Sequence, residues 1–562
     1  MFGNSRLKKI IARSFGQDPR TGIYYYNAQN RLNDVRILHD GMNAADDGSW
    51  EIDDITWDDL EMDRVFLRIN HTNSFVGEQT LYHKLRVLDK GRNEVARDLT
   101  EQRLEYLAVH PKEREEMELR LCGLGKAPDG YRLTDFMLNT DVWKIGRNFV
   151  YHILQFILVA MIVLVIIFHN PIVIFGLVAS ALVNLVVYIV MKQKYDMYLG
   201  SLGDFKRIYE FSGWMENHFK NQRIFVPDAV KESLGNLAVM SKAIVGLNNK
   251  RQNSLSGDAI AMMFDYVWGI FLIDVSAFNY IMKGIEKKLD DVFLLIDYVG
   301  EIDSEISILS YRQSIEDWCC PEFAVSQKSG DIQKSGDIQK SDDIQKSGGM
   351  HKIVGKNIRH PLLKNPVGND FDMEDKVVIT GANASGKSTF MKSVAINCIL
   401  AQTINTCIAD EFTLQPMQIT TCMALRDDIL SGESYYFREA KYLKRMLDLI
   451  DREESVLIVI DEILKGTNTT ERVAASKAIM NFIGARKCAA MVATHDNELT
   501  ENELYKKYYF TSCMKDNDIV FDYVIHEGNC AESNAIELLS FLGYPEGIVR
   551  EARGYVAKEH VT

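Results

Sequence analysis

Thr380-Gly381-Ala382-Asn383-Ala384-Ser385-Gly386-Lys387-Ser388-Thr389 fits the pattern G-x-x-x-x-G-K-[ST], with Gly381, Gly386, Lys387 and Ser388 at its fixed places. The spacing has a chemical reason. Glycines let successive backbone N–H groups curl around phosphate oxygens with no Cβ in the way. The lysine adds a point charge, and the Ser388 hydroxyl is placed to ligate Mg²⁺. The flanks agree with that reading. Lys376-Val377-Val378-Ile379 reads as a short buried strand. Ser388 to about Ala401 carries Phe390, Met391, Val394, Ile396, Ile399 and Leu400, the pattern of a mostly buried helix whose N-terminus faces an anion.

Such a loop needs an acidic partner. Ser455-Val456-Leu457-Ile458-Val459-Ile460-Asp461-Glu462 is an apolar strand ending in a carboxylate pair. Asp461 is expected to hold Mg²⁺ through water, and Glu462 to polarise an attacking water. Leu430-Ser431-Gly432-Glu433-Ser434 lies between the two motifs, and Lys465-Gly466-Thr467-Asn468-Thr469-Thr470 follows them. Ala489-Ala490-Met491-Val492-Ala493-Thr494-His495 is a further buried strand ending in a histidine. This order is that of ATPases that sandwich ATP between two protomers. The candidate nucleotide ligands in the loop are therefore Gly381, Ala382, Asn383, Ala384, Ser385, Gly386, Lys387, Ser388 and Thr389. The candidate catalytic groups are Lys387, Glu462 and His495, and the metal ligands Ser388 and Asp461.

These residues resemble the ATPase domain of the MutS mismatch-repair family over about residues 353–555. T-G-x-N-x-x-G-K-S-T-F at 380–390 is similar to that family's phosphate loop. Asp427-Asp428 with Ser431-Gly432-Glu433-Ser434 and Phe437 resembles its signature loop. D-E-I-x-x-G-T-x-T at 461–469 and A-T-H at 493–495 are similar to its later motifs, and Gly528 through Ser533 to Ile536, with Gly543 and Pro545, to its closing helical segment. The chain departs from the family at Asn468, usually Ser, and at Ala535, usually Gly. The resemblance implies ATP and Mg²⁺ as ligands, a homodimer through the ATPase domain with Ser434 reaching the partner's γ-phosphate, and DNA (mismatched, branched or damaged) as partner. Leu60 through Asn70, Thr72, Gly77, Leu81 and Leu85 resemble the start of the MutS core more loosely. The helix-rich stretches Glu101–Leu124 and about 200–309 are candidate lever arms. No segment reads as the family's mismatch-reading wedge. Phe437-Arg438-Glu439 has its F-x-E letters but falls inside the ATPase region.

From Phe149 to Met191 there is no Lys, Arg, Asp or Glu. His169-Asn170-Pro171 splits this stretch into runs 149–168 and 172–191, each about 20 residues or about 30 Å of helix, the thickness of a bilayer core. The expectation is an antiparallel transmembrane hairpin. Lys144, Arg147, Lys192 and Lys194 flank it, which places both attached regions in the cytoplasm. A buried hairpin in a soluble domain is the alternative. His152, Gln155 and Asn184 inside the runs are expected to join the two helices to each other.

Residues Gln327 to Met350 repeat a polar hexapeptide, QKSGDI with variants, and read as a solvated connector. The expected organisation is an N-terminal segment 1–55, a helical core 56–146, a transmembrane hairpin 147–194, a second helical lever region 195–325, a linker 326–350 and an α/β P-loop ATPase domain of ABC/MutS type, 351–562. With 562 residues, several such units are expected.

The net charge of −14 excludes a generally basic nucleic-acid coat. DNA contact would need local patches such as Lys242, Lys250 and Arg251, or Lys283, Lys287 and Lys288. Nine cysteines without C-x-x-C spacing suggest a reducing compartment. The basic segment Met1–Gly16 has no apolar run, so no signal peptide is expected. Two other classes compete with a membrane-tethered, DNA-clamping ATPase. A transporter half of ABC type is opposed by the closeness of Leu430-Ser431-Gly432 to Lys387 and by having only two spans. A membrane ATPase acting on a protein partner stays open.

Overall fold

The computed structural model describes residues 2–21, 28–42, 49–90, 94–139, 148–220, 222–255, 268–324, 352–382, 385–423, 435–453, 455–466, 468–515, 518–529, 536, 539–540 and 543–559. Asn383, Ala384, Asp427-Asp428, Ser431-Gly432-Glu433-Ser434, Thr467, Ser533, Ala535 and the hexapeptide connector lie outside these residues. The chain divides into two compact units. One comprises 1–43, 69–83 and 95–314, the other 44–68, 84–94 and 315–562.

The second unit is mixed α/β. Its main sheet uses β1 (Lys376–Thr380), β2 (Gln418–Cys422), β3 (Val456–Asp461), β4 (Ala489–Ala493), β5 (Lys506–Lys515) and β6 (Asp518–Glu527), in the spatial order β6-β5-β1-β4-β3-β2. Only β6 is antiparallel to its neighbour. Burial on both faces explains the apolar runs: every residue of β4 is buried, and β3 is buried from Val456 to Ile460. Helices α1 (Lys387–Ile404), α2 (Tyr435–Ile450) and α3 (Thr469–Gly484) connect the strands. The α1 helix is buried from Val394 through Gln402, and it ends where Asn405 turns left-handed at φ 50°. A second sheet of four strands orders Glu322–Phe323, Glu411–Leu414, Lys352–Ile358 and Asn369–Glu374.

The sheet edge at β2 is covered by sequence from far upstream. The Thr421 hydroxyl and the Met423 N–H both donate to one Asp59 carboxylate oxygen, at 2.7 and 2.9 Å. Arg445 pairs with Asp53 at 2.7 Å, and Lys392 with Glu61 at 3.0 Å. The short helix Asp54–Asp59 thus caps an edge that would otherwise offer free backbone groups. Residues 44–68 accordingly count with this unit, whereas sequence pattern alone grouped 56–146 together. The pairing that decides this joins positions more than 300 apart in sequence, which no local periodicity reveals.

The first unit is helical. Asn148–Phe168 carries the first apolar run. The second run does not end as a separate helix near Met191. Pro171–His218 continues as one helix of 48 residues, about 72 Å, because no Pro or capping residue interrupts it. The turn between the two helices is built by left-handed His169, φ 48°, and by the Asn170 side chain, which accepts the Ile172 N–H at 2.9 Å. Glu94–Val109, Pro111–Leu121, Asp228–Leu255, Ile273–Glu286 and Leu289–Gln313 add further helices. Leu289–Gln313 is buried continuously from Ile302 to Arg312, polar residues included. Asp303 sits there fully buried and accepts from the N–H of Asn73 and from the N–H and hydroxyl of Ser74.

Candidate functional site

Three neighbouring parallel strands end side by side. Ala493 is level with Ile379 on β1 and with Asp461 on β3. The loop after β1, the acidic pair after β3 and the histidine after β4 therefore converge at the carboxyl edge of the sheet, where α/β folds place ligands. They line a cavity of about 290 Å³ with Ser385, Gly386, Lys387, Ser388, Thr389, Asp461, Glu462, Lys465, His495 and Tyr523.

The loop needs its glycines for two separate reasons. Gly381 and Gly386 have φ of 144° and 107°, and a Cβ on Gly381 would stand 2.7 Å from the Phe510 carbonyl oxygen. Gly386 immediately precedes α1, so the first-turn amides of that helix face the cavity side of the loop. Lys387 is nearly buried and folds back, donating to the carbonyls of Gly381 at 2.7 Å and Ala382 at 3.0 Å. Burial lowers its pKa, while Asp461 and Glu462 act in the opposite sense. Ser385 Oγ is buried with no hydrogen-bond partner among the described residues. A cradle with an orphaned hydroxyl, and a lysine that among the described residues donates to loop carbonyls, fits an anion such as a phosphate.

The acidic pair divides its work. Ser388 Oγ donates to Asp461 Oδ2 at 2.5 Å, bringing two hard oxygen donors together, a donor set suited to Mg²⁺. Glu462 points elsewhere: its Oε1 is 2.8 Å from His495 Nε2 and its Oε2 3.7 Å from Lys465 Nζ. A carboxylate only accepts, so Nε2 carries the proton in this contact. The 3.4 Å approach of Lys387 Nζ to the same nitrogen then sets two donors face to face and is not a bond. The His495 hydrogen bond, followed by Lys465, holds the Glu462 carboxyl below its ordinary pKa despite burial.

Three residues escaped the sequence reading. Tyr523 reaches the cavity from β6, and its ring would be 3.1 Å from a Cβ on Gly386. Lys465 lines the cavity from the segment after β3. Glu439, noticed only as part of an F-x-E string, is buried on α2 and accepts the Lys465 N–H at 3.1 Å. Burial raises its pKa, opposed by the amides of Lys465, Gly466 and Leu464. It braces a backbone in which Glu462 and Leu464 are both left-handed, φ 64° and 57°. An F-x-E search could flag Glu439, but only the fold shows what it holds. Asn468, the departure from serine, caps α3 by accepting the Glu471 N–H at 3.0 Å, a role Asn and Ser fill equally well.

Residues 377–559 match the family described as MutS domain V. The chain is similar to the "DNA mismatch repair protein MutS" of Chloroflexus aurantiacus, with 29% identity over 37% of this chain and 22% of that protein. The protein of the same name from Pseudothermotoga lettingae is 31% identical over 36% of this chain and 26% of its own length. The one from Thermosipho melanesiensis is 28% identical over 50% and 33%. The matches thus span about a fifth to a third of these relatives. The cavity lies inside the matched region, so residues 377–559 of this chain form a domain of the MutS domain V family.

Proposed function

We propose that this chain is an ATPase of MutS type with a P-loop fold, tethered to a membrane, in which ATP binding closes a homodimer and moves helical arms on DNA. The observation that carries the reading is the convergence of Lys387, the Ser388–Asp461 pair and the Glu462–His495 pair on one cavity. In this reading the loop amides and Lys387 hold the β- and γ-phosphates of ATP. Ser388 and Asp461 are the Mg²⁺ ligands, and bound Mg²⁺ neutralises charge on the phosphates. Glu462, kept ionised by His495, orients the attacking water and takes its proton. Ser434 of a second copy completes the site. Relatives named as DNA mismatch repair proteins support DNA as partner.

The membrane tether is supported by exposure. The two apolar windows are only 11% buried, with Phe149, Phe156, Ile166, Ile172 and Phe175 each more than half exposed. At about 1.5–3 kcal/mol per large apolar side chain, leaving both runs in water would cost on the order of tens of kcal/mol. That exceeds the usual stability of about 5–15 kcal/mol, so a lipid cover is the more economical reading than a bare soluble hairpin. Both attached regions are then cytoplasmic.

Retention of radiolabelled ATP with magnesium by the purified, detergent-solubilised protein tests the core of the proposal, and absence of retention would overturn it. The acidic net charge, and the engagement of Lys288 by the Asn236 carbonyl, favour keeping a protein partner as the second reading. DNA affinity that falls steeply with salt supports the first, whereas a flat dependence supports the second.

A further inference from the structure

Gln155 and Asn184 interrupt otherwise apolar helices, and the shortest bonds their amide nitrogens donate go to a segment outside both. Gln155 Nε2 donates to the carbonyls of Phe271 at 3.0 Å and Leu272 at 3.2 Å, and to Ser276 Oγ at 3.0 Å. Asn184, 1% exposed, donates to the Ile270 carbonyl at 2.9 Å, with a longer 3.5 Å approach to Leu154. The two amides converge on three consecutive carbonyls where the chain breaks before helix Ile273–Glu286, with Leu272 left-handed at φ 52°. Of the expected links between the hairpin helices, the long Asn184–Leu154 approach is the one these contacts show, and His152 meets Gln155 on its own helix. Gln155 and Asn184 fasten a third segment to both.

The contacts also fix depth. Asn279 donates to the Asn148 side chain at 2.7 Å, at the very start of the first apolar helix. Gly269 packs so tightly on Tyr188 that a Cβ would stand 2.4 Å from its ring. At 1.5 Å per residue, Gln155 is about 10 Å beyond Asn148, and Tyr188 and Asn184 are about 6 and 12 Å from Lys192. The chain therefore enters alongside Tyr188, turns at Ile270–Leu272 beside Gln155 and Asn184, and leaves at Asn279.

From this geometry we infer that Trp268–Asn279 is a re-entrant element that dips about 10 Å into the cytoplasmic leaflet beside the hairpin, with the interfacial layer of the bilayer as its partner. The inference rests on the membrane reading above. Non-helical carbonyls survive at that depth only when protein groups satisfy them, and Gln155 and Asn184 do so. Trp268 and Tyr280 stand 47 and 60% exposed, the residue types that line a membrane border, and apolar Ile273 is 39% exposed between them. Asp274 is buried at the start of its helix, so its carboxylate is kept from lipid. Lys283 and Lys287, considered above as DNA contacts, are exposed beyond Asn279, at headgroup level, where anionic lipid attracts them.

Full-length protein in phosphatidylcholine–phosphatidylglycerol vesicles provides the test. Tryptophan fluorescence is quenched with lipids brominated near the headgroup or near the acyl-chain end, and with aqueous acrylamide. The Trp268 contribution is the difference from Trp268→Phe. A Val159→Trp variant reports the hairpin itself. We expect Val159→Trp to be quenched by the deep bromines and Trp268 by the shallow ones, with little loss to acrylamide. In Gln155→Leu/Asn184→Leu, the Trp268 signal should shift to acrylamide while Val159→Trp stays lipid-quenched. If Trp268 is quenched by acrylamide alone while Val159→Trp is lipid-quenched, the re-entrant element is overturned and the tether stands. If Val159→Trp also escapes the bromolipids, the tether falls and the inference with it.

Discussion

Glu462 follows directly on β3, His495 stands two residues beyond the end of the adjacent parallel strand β4, and His495 Nε2 comes within 2.8 Å of Glu462 Oε1. The strand register that sets Ala493 beside Asp461 makes this meeting unavoidable. It also separates the roles of the acidic pair, because Asp461 is turned toward Ser388 instead. Glu462→Gln should therefore retain ATP binding while turnover drops by roughly 10²-fold or more, the usual size of a lost general base. His495→Ala should lower turnover less and leave binding intact. Equal turnover in Glu462→Gln and the parent, measured by phosphate release, would remove Glu462 from the chemistry.

Lys387 is held by two loop carbonyls, so it is positioned before any ligand arrives. Lys387→Ala should abolish measurable ATP binding without unfolding the unit, since the side chain anchors no core residue. Isothermal titration alongside thermal melting checks both halves. An unchanged ATP affinity would contradict the assignment.

Ser434 is expected to act on the site of a second copy. Ser434→Arg and Lys387→Ala should each be inactive alone, yet mixed subunits form one composite site with a wild-type loop and a wild-type Ser434. Up to about half of the heterodimer's sites should recover turnover. A mixture as inactive as its components would count against action in trans.

Glu439 connects α2 to the backbone that orients Glu462. Glu439→Ala removes the acceptor of the Lys465 N–H, a cost of roughly 1 kcal/mol, and frees the left-handed segment 462–464. The expected result is a fall in kcat with little change in KM for ATP. Parallel loss of both, tracking the loss of folded protein, would reduce Glu439 to a structural support.

Glu118 in the helical unit is 2% exposed, and burial pushes its pKa up to about 8 although Arg114 acts against the rise. The folded state then binds this proton more tightly than the unfolded chain does. Its stabilising contribution is complete below the ordinary carboxylate pKa of 4.5 and is lost as pH rises through about 8. The loss is on the order of 5 kcal/mol. Glu118→Gln should flatten this slope and melt higher than the parent at pH 8 and above. Identical melting curves across the range would mean that the carboxyl titrates normally.

Much of the candidate site was legible in sequence because its parts are local. Gly381, Gly386 and Lys387 are fixed by what one tight turn can do around an anion. Asp461 and Glu462 are marked by the buried strand that delivers them, and the hairpin by its unbroken apolar length. The strands also explain why His495 could be singled out, since a buried run announces its own end. What stayed hidden depends on partners distant in the chain. Asp59 has the look of a surface acid until β2 is placed against it. Glu439 reads as part of a motif until the backbone after β3 is folded onto it.

Composition and spacing by themselves determined the glycine-lysine loop, the acidic strand end and the two apolar runs, because short-range sterics and hydrophobic pattern leave each little alternative. Only the tertiary structure decided that residues 44–68 belong with the C-terminal unit, that Pro171–His218 is one helix, and that Gln155 and Asn184 grip the break at 270–272. Those outcomes turn on hydrogen bonds between segments tens to hundreds of residues apart. A side chain's chemistry states that it needs a partner, and the folded chain alone states which one.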